Sequence, residues 1–153
     1  MSAMAPARTA HLDHLAVPPA TPAMLDSARA WPLGVVANKA GPVLLCTVQE
    51  RGWTARFAAI VGAGERRADK PHPTPIWHAR ATIGVQSGPS VWYIGDTAMD
   101  MQTAHAAGCT AVLLGDAAHN GGIALMQRSD CPPGLHFADA AALALQLKGL
   151  MRR

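Results

Sequence analysis

Val91-Trp92-Tyr93-Ile94-Gly95-Asp96-Thr97-Ala98-Met99-Asp100 is an apolar run that ends on a glycine and opens into two carboxylates four residues apart. It predicts a buried strand with Asp96 at its C-terminal tip, then a helix from Thr97 that holds Asp100 one turn on, near the same crevice. Two carboxylates so placed make a seat for a hard cation such as Mg²⁺, which favours oxygen ligands and usually takes one or two protein carboxylates. The same residues also have a purely structural reading, because Asp and Thr cap helices well.

Short elements alternate on either side of this stretch. Leu33-Gly34-Val35-Val36-Ala37 predicts a fully buried strand, followed by Asn38-Lys39 and a helical run through Leu44, Leu45 and Val48 that stops near Gly52. Ala58-Ala59-Ile60-Val61-Gly62 predicts a second strand. Pro73 and Pro75 suit the first turn of a helix running to about Gly84, since proline lacks a donor that the first turn leaves unpaired anyway. The helix opened by Thr97 runs to Ala107 and stops at Gly108. Cys109 to Gly115 predicts a fourth strand and Leu135-His136-Phe137 a small fifth, ahead of an Ala/Leu helix from Ala138 to Leu150. Lys148, Arg152 and Arg153 sit at the end of that helix, where its dipole favours cations. Strands alternating with helices at this spacing define the α/β class, with a Rossmann-like parallel sheet and flanking helices. Such sheets bind ligands beyond the C-terminal ends of their strands. Three polar groups fall there: Asn38-Lys39, the loop at Lys70, and Asp96.

The chain resembles the haloacid dehalogenase-like (HAD) phosphatases, and within them the phosphoglycolate-phosphatase-like group. Val35-Val36-Ala37-Asn38-Lys39 resembles that family's second motif and Lys70-Pro71-His72-Pro73-Thr74-Pro75 its third. Gly95-Asp96-Thr97-Ala98-Met99-Asp100, with the trailing Ala106-Ala107-Gly108-Cys109, resembles its fourth. The match runs in family order from about Ala20 to about Phe137. The resemblance implies hydrolysis of a small phosphorylated metabolite through a covalent aspartyl-phosphate, in which one carboxylate attacks phosphorus and a second protonates the leaving oxygen. Mg²⁺ and a lysine would neutralise the phosphoryl charge. On this reading Lys70 serves the phosphoryl oxygens and the nucleophile, Asp96 the metal, Asp100 the metal or the orientation of its loop, and Asn38 the phosphate cradle. For Lys39 a role in the site stands beside that of a solvated lysine at a helix start.

Two departures bear on activity. The family's nucleophile and general acid sit as Asp-x-Asp at the end of its first, central strand. Here the aspartates are Asp13, Asp26, Asp69, Asp96, Asp100, Asp116, Asp130 and Asp139, and no two stand two residues apart. Ala37 takes the place of a Ser or Thr whose hydroxyl bonds the phosphate, and alanine offers no donor. Losing one such contact costs about 3 kcal/mol of transition-state stabilisation; losing the nucleophile removes the covalent route itself.

Residues 1–19, with His11-Leu12-Asp13-His14-Leu15, resemble the end of the helical cap that the family inserts after its first strand, a remnant open to disorder. Residues 20–153 then form the core without that strand, Thr21 capping a first helix and Pro22 lying in its first turn. The resemblance puts the missing strand between the one ending at Ala37 and the one ending at Ile94. Two outcomes are expected: direct pairing of those strands in a contracted sheet, or self-association through their open apolar edges. His11, Asp13 and His14 as metal ligands lack a fourth ligand at a recognised spacing.

With 153 residues, 50% hydrophobic and 15% charged, the chain is a globular single domain rather than a disordered segment. Its formal net charge of +3 is dispersed, apart from Arg66-Arg67 and the C-terminal pair, which speaks against nucleic-acid binding. No stretch approaches the ~20 apolar residues of a membrane span, and the first residues lack a signal-peptide core. Cys46, Cys109 and Cys131 are odd in number and unclustered, as expected for reduced thiols in a cytoplasm. Two functional classes follow: a HAD-like phosphohydrolase in truncated or degenerate form, inactive alone, or a non-catalytic core that keeps a metal or phosphate site for binding. A plain dinucleotide-binding domain is disfavoured, because no Gly-x-Gly-x-x-Gly follows a strand.

Overall fold

The computed structural model describes residues 20–64, 69–86 and 88–152. His11, Asp13, His14 and the Arg66-Arg67 pair lie outside them, as does the cap remnant. Five strands and six α-helices follow in the order expected of a parallel α/β fold: α1 (Thr21–Ser27), β1 (Gly34–Ala40), α2 (Gly41–Glu50), β2 (Ala59–Ala63), α3 (Thr74–Ile83), β3 (Trp92–Gly95), α4 (Ala98–Ala107), β4 (Thr110–Leu114), α5 (Ile123–Gln127), β5 (Leu135–Phe137) and α6 (Ala140–Met151). The strands pair in parallel, β1 with β2 in register Val35 to Ile60, β3 with β4 in register Tyr93 to Ala111, and β4 with β5 in register Leu113 to His136.

Because side chains alternate across a strand, each strand feeds two layers. Val35, Ala37, Ile94 and Val112 face the layer that contains Met24 and Leu25 of α1 and Leu143 and Leu147 of α6. Val36, Val61, Tyr93 and Leu113 face the opposite layer, with Ile76 and Ala79 of α3 and Met101 and Ala104 of α4. Burial on both faces explains why these strands read as continuous apolar runs rather than alternating ones. Gly84 and Gly108 end α3 and α4 at φ values of 88° and 76°, the left-handed conformation that glycine takes without a Cβ penalty.

Three details differ from the sequence reading. Thr21 does not cap α1; it is the first helical residue and is buried, and the cap position is Ala20 at φ 66°. A one-turn helix, α5, follows Gly121-Gly122 in a stretch to which the sequence reading assigned no element. Of the two outcomes expected for the strand edges, direct pairing of β1 with β3 is absent: among the described residues β1-β2 and β3-β4-β5 are separate sheets with no ladder between them. Both sheets nevertheless contribute to both apolar layers, and Val35, Ala37 and Ile94 are at most 3% exposed, so the seam is shut to solvent.

Gly62 in β2 is required by close approach. A Cβ there would come within 2.6–2.7 Å of Lys39 O, Gly41 N and Gly41 Cα, all backbone atoms of the β1–α2 turn. Backbone cannot swing aside as a side chain can, so Gly62→Ala is expected to destabilise by about 1–3 kcal/mol through overpacking, read as a lower midpoint in urea unfolding. Wild-type stability in that variant would contradict the packing described.

Candidate functional site

The polar residues at the C-terminal ends of the strands converge on one charged pair. Lys70 Nζ lies 2.8 Å from Asp100 Oδ1, and their side chains are 4% and 0% exposed. An ion pair this far from water is tolerated only when the remaining hydrogen-bonding capacity is used. Asp100 meets that condition: its Oδ2 accepts from the Asp96 N–H at 3.1 Å, the Thr97 N–H at 3.2 Å and the Thr97 hydroxyl at 2.9 Å. Thr97 Oγ1 in turn accepts from the Asp100 N–H at 3.3 Å, which makes Thr97 and Asp100 a reciprocal capping box at the start of α4. Gly95 makes room for this arrangement, since a Cβ at that position would collide with Asp100 Cβ and Cγ.

Lys70 is held from its backbone as well. Its N–H donates to Asn38 Oδ1 at 3.2 Å, and Asn38 Nδ2 donates to Lys70 O at 3.3 Å and approaches Met99 Sδ at 3.4 Å. The Lys70–Pro71 peptide is cis. Asn38 lies in the C-terminal half of β1, Lys70 follows β2, and Asp100 and Met99 belong to α4 beyond β3. These contacts therefore bridge the two sheets across the seam that no ladder crosses.

The structure brings together Asn38, Lys70, Asp96 and Asp100, the four principal residues singled out in the sequence. The amide of Asn38, assigned to a phosphate cradle, is engaged with the Lys70 backbone. Both oxygens of Asp100, assigned to the metal or to loop orientation, accept from protein donors, which is the orienting arrangement. Asp96 is half-buried at the tip of β3, and Lys39 is half-buried at the end of β1. Asn120 escaped the sequence reading, and Thr97 was read only as the start of its helix. Thr97 carried a signal, its spacing to Asp100; Asn120, whose Oδ1 accepts from the Ala98 N–H at 3.0 Å, carried none. Beneath the site, burial pushes the Tyr93 hydroxyl pKa well above its ordinary value, with the Asp100 charge as a lesser cause. The floor of the site is thus a low-dielectric one, in which an unpaired charge is costly.

A buried lysine, a glycine-backed aspartate loop and a second aspartate thus gather beyond the strand ends of a parallel α/β core, where such sheets bind ligands. The chain belongs to the haloacid dehalogenase-like hydrolase family, whose model matches residues 4–114. It is 30% identical over 113 residues to the phosphoglycolate phosphatase of Yersinia pestis, covering 74% of this chain and 48% of that protein. It is 31% identical over 85 residues to the phosphoglycolate phosphatase of Escherichia coli K12, covering 56% of this chain and 33% of that one. The chain therefore spans about half the length, or less, of these relatives. In fold it is similar to a HAD-superfamily hydrolase from Ehrlichia chaffeensis, with a TM-score of 0.76, 25% identity, and coverage of 91% of this chain and 61% of that one. The L-2-haloacid dehalogenase of Xanthobacter autotrophicus superposes with a TM-score of 0.70 at 17% identity, over 86% of this chain and 61% of that one.

The pair predicts an asymmetry. Asp100→Ala strands a buried ammonium and three donors, so it should cost about 3–5 kcal/mol. Lys70→Met leaves Asp100 with three donors and should cost only about 1–2 kcal/mol. Urea unfolding of both variants measures the difference, and equal costs would contradict it.

Proposed function

We propose that this chain is the core of a phosphoglycolate-phosphatase-like hydrolase that retains the phosphoryl-binding end of the site and does not by itself hydrolyse phosphomonoesters. The observation that carries the reading is the contrast between an assembled Lys70–Asp100–Thr97 constellation and a sequence without any Asp-x-Asp. Lys70 has three donors, and among the described residues its ammonium meets one acceptor, Asp100 Oδ1. The rest of its capacity suits it to a phosphoryl oxygen arriving at the strand ends. Its position is fixed by Asn38 from below and Asp100 from the side, which is the preorganisation that electrostatic stabilisation needs. The names of the relatives point to a small phosphorylated metabolite as ligand.

The implied Mg²⁺ does not fit the residues described as a tightly held ion. Asp100 is saturated by protein donors, Asp96 is one carboxylate, and among the described residues no three His, Cys, Asp or Glu side chains cluster as a metal site. Hard cations with so few protein ligands are held weakly. No step is therefore assigned to a metal here.

Among the described residues no helix is long and apolar enough to cross a membrane. No disulfide joins Cys46, Cys109 and Cys131, and burial pushes the Cys109 thiol up to about 11, so that it is inert near neutral pH. Reduced thiols support the reading of a reducing, cytoplasmic setting.

The second reading, a binding module with no catalytic past to restore, is separated by its affinities. Titration calorimetry with Mg²⁺ should give a dissociation constant in the millimolar range or weaker, and micromolar affinity would favour the module. Hydrolysis of phosphoglycolate or an aryl phosphate with Mg²⁺ should not exceed that of the Asp96→Asn variant. Turnover that disappears in Asp96→Asn or Lys70→Ala would mean that an unrecognised carboxylate serves as nucleophile, with Asp13 the first suspect.

A further inference from the structure

At the opposite end of the sheet, where β1 begins, a cavity of about 370 Å³ is lined by Leu25, Arg29, Trp31, Leu33, Ala55 and Arg56. This is the lower part of the size range of small-molecule sites. Its floor is apolar, Leu25 and Leu33 being buried members of the core and Trp31 packing against it. Its rim is cationic. Arg29 Nη2 lies 3.2 Å from Asp26 Oδ1, and Arg56 Nη2 bonds the same oxygen. Two guanidiniums thus share one carboxylate, and among the described lining and its ion pairs the rim carries one unit of excess positive charge. The Asp26 carboxyl is held below its ordinary range, foremost by the hydrogen bond from Arg56, so it stays ionised at neutral pH.

We propose that this cavity is a second ligand site, and that it takes an aromatic monocarboxylate. Charge sets the first half of the assignment. One excess positive charge matches a monoanion, whereas a phosphate dianion would leave negative charge uncompensated beside Asp26. Geometry sets the second. A guanidinium presents five N–H donors in a planar fork that fits a carboxylate, and most of the donors on both arginines are left over by the single Asp26 oxygen they share. The indole of Trp31 and the two leucines offer the apolar walls that a flat hydrocarbon body needs and that a bare anion does not. None of the lining residues is Lys70, Asp96 or Asp100.

Benzoate and 2-naphthoate, titrated calorimetrically into the protein, test the site. Both should bind saturably, naphthoate more tightly, and Arg56→Gln should weaken them at least tenfold. Arg29→Gln, at a residue whose side chain is 70% exposed, should weaken them without disturbing the fold and serves if Arg56→Gln unfolds. Arg128→Gln, an exposed arginine outside the lining, should change nothing. The assignment is overturned if neither probe binds up to 20 mM, if affinity is indifferent to both cavity arginines, or if inorganic phosphate binds there more tightly than naphthoate.

Discussion

The Lys70–Asp100 ion pair is the constraint on which the rest of the site depends. It is buried at both ends, and a pair so placed contributes little net stability over an apolar alternative unless its surroundings complete the hydrogen bonding. The completion comes from the turn between β3 and α4: Gly95 yields space, the Asp96 and Thr97 amides and the Thr97 hydroxyl fill the second carboxylate oxygen, and α4 starts where that box closes. From the other side, Asn38 clamps the Lys70 backbone. The described residues form two sheets with no ladder between them. Polar contacts at the strand ends, together with the shared apolar layers, join the two halves. Position and stability are therefore coupled: the groups that would meet a phosphoryl oxygen are the groups that tie the halves together.

Much of this was legible from the chain alone, for identifiable reasons. Strands buried on both faces read as continuous apolar runs, and glycines at 84 and 108 marked helix ends because left-handed backbone is theirs to adopt. The tip of β3 was readable because an apolar run, a glycine and two aspartates fall in one decapeptide. The partner of Asp100 was not, since Lys70 lies 30 residues away and no local spacing signals that pairing. The engagement of the Asn38 amide was illegible for a related reason: only the three-dimensional path of the Lys70 backbone brings the two together. Helix α5 is a single turn of five residues after two glycines, too short for a 3.6-residue period to emerge.

The fold and the third and fourth motifs place the chain among the haloacid dehalogenase-like hydrolases, while its sequence offers no Asp-x-Asp and carries Ala37 where a hydroxyl is expected. What remains at the strand ends is an electrostatic frame, a fixed ammonium with spare donors and a carboxylate beside it. A frame of that kind binds and orients; covalent catalysis needs a nucleophile within reach of it. The arginine-rimmed cavity at the other end of β1 adds a second anion-recognising surface of different character, flat and apolar rather than compact and polar.

The central claim is that Lys70 and Asp100 act as one unit, and a double-mutant cycle measures that most directly. Unfolding free energies of the wild type, Lys70→Met, Asp100→Leu and the double variant should give a coupling energy of about 1.5–3 kcal/mol, the double variant being more stable than the sum of the single losses. Additivity to within about 0.5 kcal/mol would mean that the two side chains are neighbours without being partners, and the account given of the site would fail.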